Sequence, residues 1–215
     1  MMLAERIVRI KQCVVDAAGI AEGMVSKGVG GLLSGDRSLL LEVIEELEPK
    51  MDRAEVEVES ECVKTIALFQ PKAVDLRTVI ASLRIVKDLE RMGDLAFNIA
   101  QSGLLLIDGS FRLPVEGVGS MGELVLRMLR DAISSFVKGD AGLALCVCRA
   151  DDHVDAMRDA LLKEFILLAT RGPINGVMEL IRVVRCLERV GDLSTNVAEE
   201  VVFMVEGRVI KHGGL

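Results

Sequence analysis

Apolar residues recur at three- and four-residue spacing along most of the chain, and no run of about 4 to 8 residues alternates cleanly. This is the pattern of packed helices, so the chain is expected to be all-α. A first helix is expected from Leu3 to Lys27, with Gly28, Gly30 and Gly31 fraying or ending it. Asp36 is placed to cap a second helix that reaches Phe69. Pro71 breaks the chain and can start a third, which runs to Ile107. The stretch Asp108 to Ser120 holds Gly109, Pro114, Gly117 and Gly119 and reads as a linker. Three more helices are expected: one to Val137, one from the Gly139-Asp140 turn to Thr170, and one from the Arg171-Gly172-Pro173 break to Glu206. The chain thus divides into a three-helix bundle over 1–110 and another over 115–215.

The two halves resemble each other. Residues 83–109 align without a gap with residues 181–207, and 11 of 27 positions are identical. Chance would give only one or two, so the similarity marks an internal repeat. Within it, Ile85, Leu89, Met92, Ala96, Ile99, Gly103 and Leu106 follow helical spacing, as do Val183, Leu187, Val190, Ser194, Val197, Val201 and Met204. Each row is read as the core seam of an antiparallel bundle.

Acidic residues sit opposite that seam. Glu90 and Asp94 share a helical face, and Glu188 and Asp192 repeat them. Like charges at this spacing are mildly destabilising, yet both halves keep them. Gly93 and Gly191, each mid-helix, imply close helix approach or room for a ligand. Folding each hairpin back at its proline brings Glu48 and Asp52 opposite Glu90 and Asp94, and Asp151, Asp152 and Asp155 opposite Glu188 and Asp192. Glu55 and Glu59 extend the first patch and Asp159 the second. The candidate metal ligands are therefore Glu48, Asp52, Glu55, Glu59, Glu90 and Asp94, with Asp151, Asp155, Glu188 and Asp192. An all-oxygen set suits a hard cation such as Mg, Ca, Mn or ferric iron. Neutralisation by Arg91 and Arg189 is the alternative. Pro49 disfavours a helical Glu48 and could kink it toward the patch or away. Asp88 has Cys186 as its repeat partner, so position 88 is not read as a shared ligand.

Composition narrows the function. Net charge is −7 and there is no Trp or Tyr, which speaks against a nucleic-acid binder. The longest run without a charge, Leu95 to Ile107, is too short to span a membrane. Charges at Glu5, Arg6 and Arg9 interrupt any export signal, and the five cysteines show no C-x-x-C pair. A cytoplasmic protein with reduced thiols is expected. No nucleophile–base constellation and no P-loop occur. A ferritin-like di-metal enzyme or metal store would need Glu-x-x-His, but Ala150 and Val209 precede the two histidines, His153 and His212.

The doubled Leu89-Glu-Arg-Met-Gly-Asp94 and Leu187-Glu-Arg-Val-Gly-Asp192, with Gln70-Pro-Lys-Ala-Val-Asp-Leu-Arg77 and Val202-Phe-Met-Val-Glu-Gly207, resemble the PhoU family of phosphate-transport accessory and regulatory proteins. The resemblance spans nearly the whole chain. It implies two three-helix bundles related by pseudo-twofold symmetry and a non-enzymatic homodimer. It also implies multinuclear metal clusters on the acidic motifs, iron first, with Mg, Ca, Mn or Zn as alternatives. The implied role is to shut down phosphate uptake and the phosphate-starvation response, through the ATPase subunit of a phosphate ABC transporter and a phosphate-sensing histidine kinase. A metal-free helical adaptor is the competing mechanism.

Overall fold

The computed structural model describes residues 2–110, 114, 116–170 and 174–210. The helices are α1 (Leu3–Ser34), α2 (Arg37–Glu42), α3 (Glu48–Phe69), α4 (Ala73–Asp108), α5 (Glu116–Lys138), α6 (Ala141–Ala169) and α7 (Ile174–Glu206). A π-helical turn, Val43–Leu47, joins α2 to α3, so these two form one continuous rod. The expected break at Arg171–Pro173 lies outside the described residues, as do Phe111–Leu113, Val115 and His212.

Gly28 to Gly31 do not end α1, which continues to Ser34. Gly28 and Gly31 serve contacts, while Gly30 faces open space. Gly28 lies where a Cβ would stand 3.4 Å from the Ala96 carbonyl oxygen. A Cβ on Gly31 would fall 2.7 Å from the Leu40 side chain, and one on Gly103 2.8 Å from it. The buried Leu40 of α2 is thus wedged between α1 and α4. The helix stops at Gly35, whose φ of 68° suits glycine. Asp36 then caps α2, accepting from the Ser38 amide at 2.9 Å. The second half repeats the device: Gly139 has φ 66°, and Asp140 accepts from the Leu143 amide at 3.0 Å.

Pro49 shapes the next rod. It has no amide hydrogen to offer and its ring crowds the preceding turn. The π turn absorbs this, with the Glu48 amide donating back to the Val43 carbonyl. Glu48 stays helical and Pro49 sits in the first turn of α3, where it is tolerated. After Pro71, α4 begins two residues later, at Ala73.

The expected linker is shorter than its composition suggests, because α5 starts at Glu116. Gly117 and Gly119 belong to that helix. A Cβ on Gly119 would stand 3.0 Å from Leu33, and one on Gly122 3.0 Å from Val29, so small residues on α5 let α1 approach closely.

Helices α1, α3 and α4 pack together, as do α5, α6 and α7; α4 lies against α7 and α1 against α5. Both predicted seams are buried along their full length. Their side chains join one apolar cluster that runs through both halves. Arg77 fastens the far end, donating to the Met204 and Val205 carbonyls at the C-terminus of α7. Among the described residues no helix is long and apolar enough to cross a membrane.

Candidate functional site

The α3–α4 hairpin brings the first acidic patch together. Glu48 and Asp52 come from α3, and Glu90 and Asp94 from α4. Glu48 and Glu90 are half-buried, while Asp52 and Asp94 are exposed. Burial pushes the Glu90 carboxyl up from its ordinary value, and Asp94, Glu55 and Asp52 push it further against the pull of Lys87. Burial likewise raises Glu48, and Asp52 and Asp94 add to it. The π turn therefore aims Glu48 into the patch rather than away. None of Glu48, Asp52, Glu90 and Asp94 has a Lys or Arg within ion-pair distance among the described residues. Glu55 and Glu59 differ: Lys87 Nζ stands 2.8 Å from the one and 2.6 Å from the other.

Gly93 shows how the hairpin closes. A Cβ there would lie 3.1 Å from Met51 and 3.4 Å from the Met24 sulfur. Its equivalent Gly191 faces Val154 at 3.3 Å. Close helix approach, not ligand room, accounts for both. The same contacts set α6 in register with α3, each α6 residue lying 103 positions beyond its α3 equivalent, as Val154 does beyond Met51.

That register exposes a difference between the halves. Asp151 and Asp155 stand where Glu48 and Asp52 do, but Arg158 stands where Glu55 does. Its guanidinium lies 2.6 Å from Asp155, 2.8 Å from Glu188 and 2.9 Å from Asp159. Arg189 reaches Asp192 at 3.3 Å. The second patch is thus laced by two arginines, of which Arg189 was expected and Arg158 was not. Arg91, the cation expected for the first patch, turns instead to Asp88 at 3.2 Å. Spacing carried a signal for Arg158, which stands three residues from Asp155 on its own helix; Lys87 stands three residues from Glu90 but reaches across the hairpin to Glu55 and Glu59 instead.

The two patches suit a metal unequally. The first offers four carboxylates from two facing helices, none with an ion-pair partner among the described residues, which fits a hard cation in chemistry and charge. Among the described residues no three His, Cys, Asp or Glu side chains stand close enough to share one ion. In the second patch Arg158 already provides the positive charge, and a cation there would have to displace it.

Asp88 lies beside the first patch, on the face of α4 that meets α7. It is buried, and burial outweighs Arg91 in lifting its carboxyl from 3.8 to about 6. The native chain then holds this proton more tightly than the unfolded chain. Stability is fully present below 3.8, falls as pH climbs toward about 6 and stays reduced above it. Asp88→Asn is expected to gain about 2–3 kcal/mol at neutral pH and to flatten that slope. Urea unfolding across this pH range checks it; a less stable variant at neutral pH would show that the Arg91 contact outweighs burial.

Comparison with known proteins accords with this architecture. The PhoU domain family model matches residues 14–103 and again 118–201. A phosphate-specific transport system accessory protein PhoU homolog of Aquifex aeolicus is 35% identical over 214 residues, covering 99% of this chain and 96% of that one. The homolog of Pseudomonas putida is 34% identical over 200 residues, covering 92% of this chain and 78% of that one. The crystal structure of PhoU from Pseudomonas aeruginosa superposes with a TM-score of 0.92 at 30% identity, covering 96% of this chain and all of that one. The phosphate transport system regulatory protein PhoU of Streptococcus pneumoniae gives 0.91 at 27% identity, over 98% of this chain and all of that one. A doubled family match, one in each half of a doubled helical bundle, places this chain in the PhoU family.

Proposed function

We propose that this protein is a non-enzymatic cytoplasmic regulator of phosphate uptake. It restrains a phosphate ABC transporter and keeps the phosphate-starvation response off when phosphate is plentiful. Its partners are the transporter's ATPase subunit and a phosphate-sensing histidine kinase, and it works as a homodimer. The observation that carries this reading is the family match in both halves, together with relatives named as accessory proteins of phosphate-specific transport. Long rods joined by short turns suit a protein that acts by presenting surfaces.

Within this reading the first patch holds a hard cation, with iron the first candidate. Glu48, Asp52, Glu90 and Asp94 would hold it. The ion would supply positive charge that ties α3 to α4. Arg158 supplies the same charge between α6 and α7 without a metal. That arginine favours, as a second reading, a metal-free adaptor in which both hairpins are held by side chains alone.

The test is genetic. In a bacterium lacking its own PhoU protein, this chain is expected to silence a phosphate-starvation reporter in phosphate-rich medium. A reporter that stays on, with the chain folded and abundant and the host's own PhoU able to silence it, would sink the reading.

A further inference from the structure

The α4–α7 seam carries two equivalent grooves, one on each side. Arg84, Lys87, Asp88 and Arg91 of α4 line the first. Arg182, Arg185, Cys186 and Arg189 of α7, each 98 residues further on, line the second, a groove of about 440 Å³. The two rows of cations match position for position, but their surroundings do not.

In the first groove each cation has a carboxylate. Arg84 pairs with Glu200 at 3.1 Å, Lys87 with Glu55 and Glu59 at 2.8 and 2.6 Å, and Arg91 with Asp88 at 3.2 Å. In the second groove every equivalent of those carboxylates has lost its negative charge. Ser102 stands for Glu200 and Cys186 for Asp88. Arg158 stands for Glu55 and Leu162 for Glu59.

What remains near the second row is sparse. Arg182 donates to the Asn98 amide oxygen at 2.6 Å and comes only to 4.0 Å from Glu179, which already accepts from Ser102. Arg189 reaches Asp192 at 3.3 Å. Arg185 has no hydrogen-bond or ion-pair partner among the described residues. The floor is apolar: Leu95 and Ile181 are half-buried there, and Met178 is 57% exposed.

We propose that this groove docks an acidic segment of a partner protein, one that carries an apolar side chain among its carboxylates. Arginine forks match carboxylates in geometry, and the floor formed by Leu95, Met178 and Ile181 takes the apolar residue. The three arginines span seven residues of helix, about 10 Å, more than one small anion can bridge. An elongated acidic segment covers the row. On a chain of net charge −7, a cationic groove with fewer counter-charges than its equivalent, and with Arg185 unpaired among the described residues, is the place where such a segment is attracted and not repelled. This inference concerns the α7 surface and stands apart from the proposed regulatory role and from metal binding.

The experiment uses the whole chain and a fluorescein-labelled synthetic peptide in which two leucines are spaced among glutamates. Fluorescence anisotropy should show saturable binding that weakens as salt rises. Arg185→Glu should weaken it about tenfold. Arg127→Glu, an equal change of net charge at an exposed site on α5, should leave it unchanged. Thermal unfolding confirms that both variants keep the fold. Three outcomes overturn the proposal: no saturable binding, equal weakening in both variants, or complete displacement by inorganic phosphate at constant ionic strength, which would make the groove a small-anion site.

Discussion

Glu61→Ala is expected to cost about 3–5 kcal/mol of folding stability. Arg6 of α1 and Glu61 of α3 are only 9% and 8% exposed, and their charged atoms meet at 2.7 Å. The Arg6 guanidinium carbon also lies over the Phe69 ring, 5.8 Å from its centroid. Its Nε is already buried without a hydrogen-bond partner. Removing Glu61 would leave a buried guanidinium with neither water nor counter-charge, which is what makes a broken buried pair expensive. Arg9 and Lys64 also reach Glu61, each at 3.4 Å, but both are half-exposed and add little. The double variant Arg6→Met, Glu61→Leu should recover most of the loss, because removing both charges also removes their desolvation cost. Urea unfolding of the native chain and both variants reads this directly. A loss below about 1 kcal/mol in Glu61→Ala would mean that water reaches the pair.

The first acidic patch should give an effect that changes sign with the cation. Without a cation, Glu90→Gln with Asp94→Asn should melt higher than the native chain. The reason is the raised Glu90 carboxyl: burial and its acidic neighbours make ionised Glu90 costlier in the folded state. Its contribution is therefore unfavourable above the ordinary value of 4.5 and relieved as pH falls. With a hard cation such as Mn²⁺ in excess, the order should reverse. An ion at about 100 times its dissociation constant adds about 2.7 kcal/mol to the native chain and nothing to the variant. Glu188→Gln should behave differently, losing stability with or without the cation, because it strips Arg158 of a partner. Thermal melts followed by circular dichroism, with elemental analysis of bound metal, separate these cases. Protein concentration must come from amino-acid analysis, since the chain has no Trp or Tyr. A native chain whose melting ignores every hard cation would establish the metal-free reading.

The helices and the hairpin pairing were legible because both are periodic. Residues of one apolar phase recur along each long rod, and a turn at a proline fixes which positions face each other. Glu48 and Asp52 consequently meet Glu90 and Asp94 as their spacing implies. Glycines were misjudged for the opposite reason. Their composition suggests a fray at Gly28–Gly31 and a linker at Gly117 and Gly119. In the folded chain, however, Gly28, Gly31, Gly117 and Gly119 are places where the α4 backbone, Leu40, Leu161 or Leu33 presses in. A missing side chain looks the same in sequence whether it loosens a chain or lets a neighbour come close. Only the neighbour distinguishes the two.

By itself, then, the sequence determined an all-helical chain built twice, its buried seams and its two facing rows of acids. Helical period and internal repetition are local properties, and each can be read along one strand of residues. Beyond the Arg189–Asp192 pair, which acids are neutralised followed from tertiary packing. Lys87 reaches across to Glu55 and Glu59, Arg91 turns away to Asp88, and Arg158 fills the second patch where its equivalent Glu55 extends the first. These choices depend on whether a long, flexible side chain turns along its own helix, as Arg91 does, or across to the facing one, as Lys87 does, and on where it ends to within a few ångströms. Electrostatic energy changes steeply over that distance, and sequence spacing does not specify it.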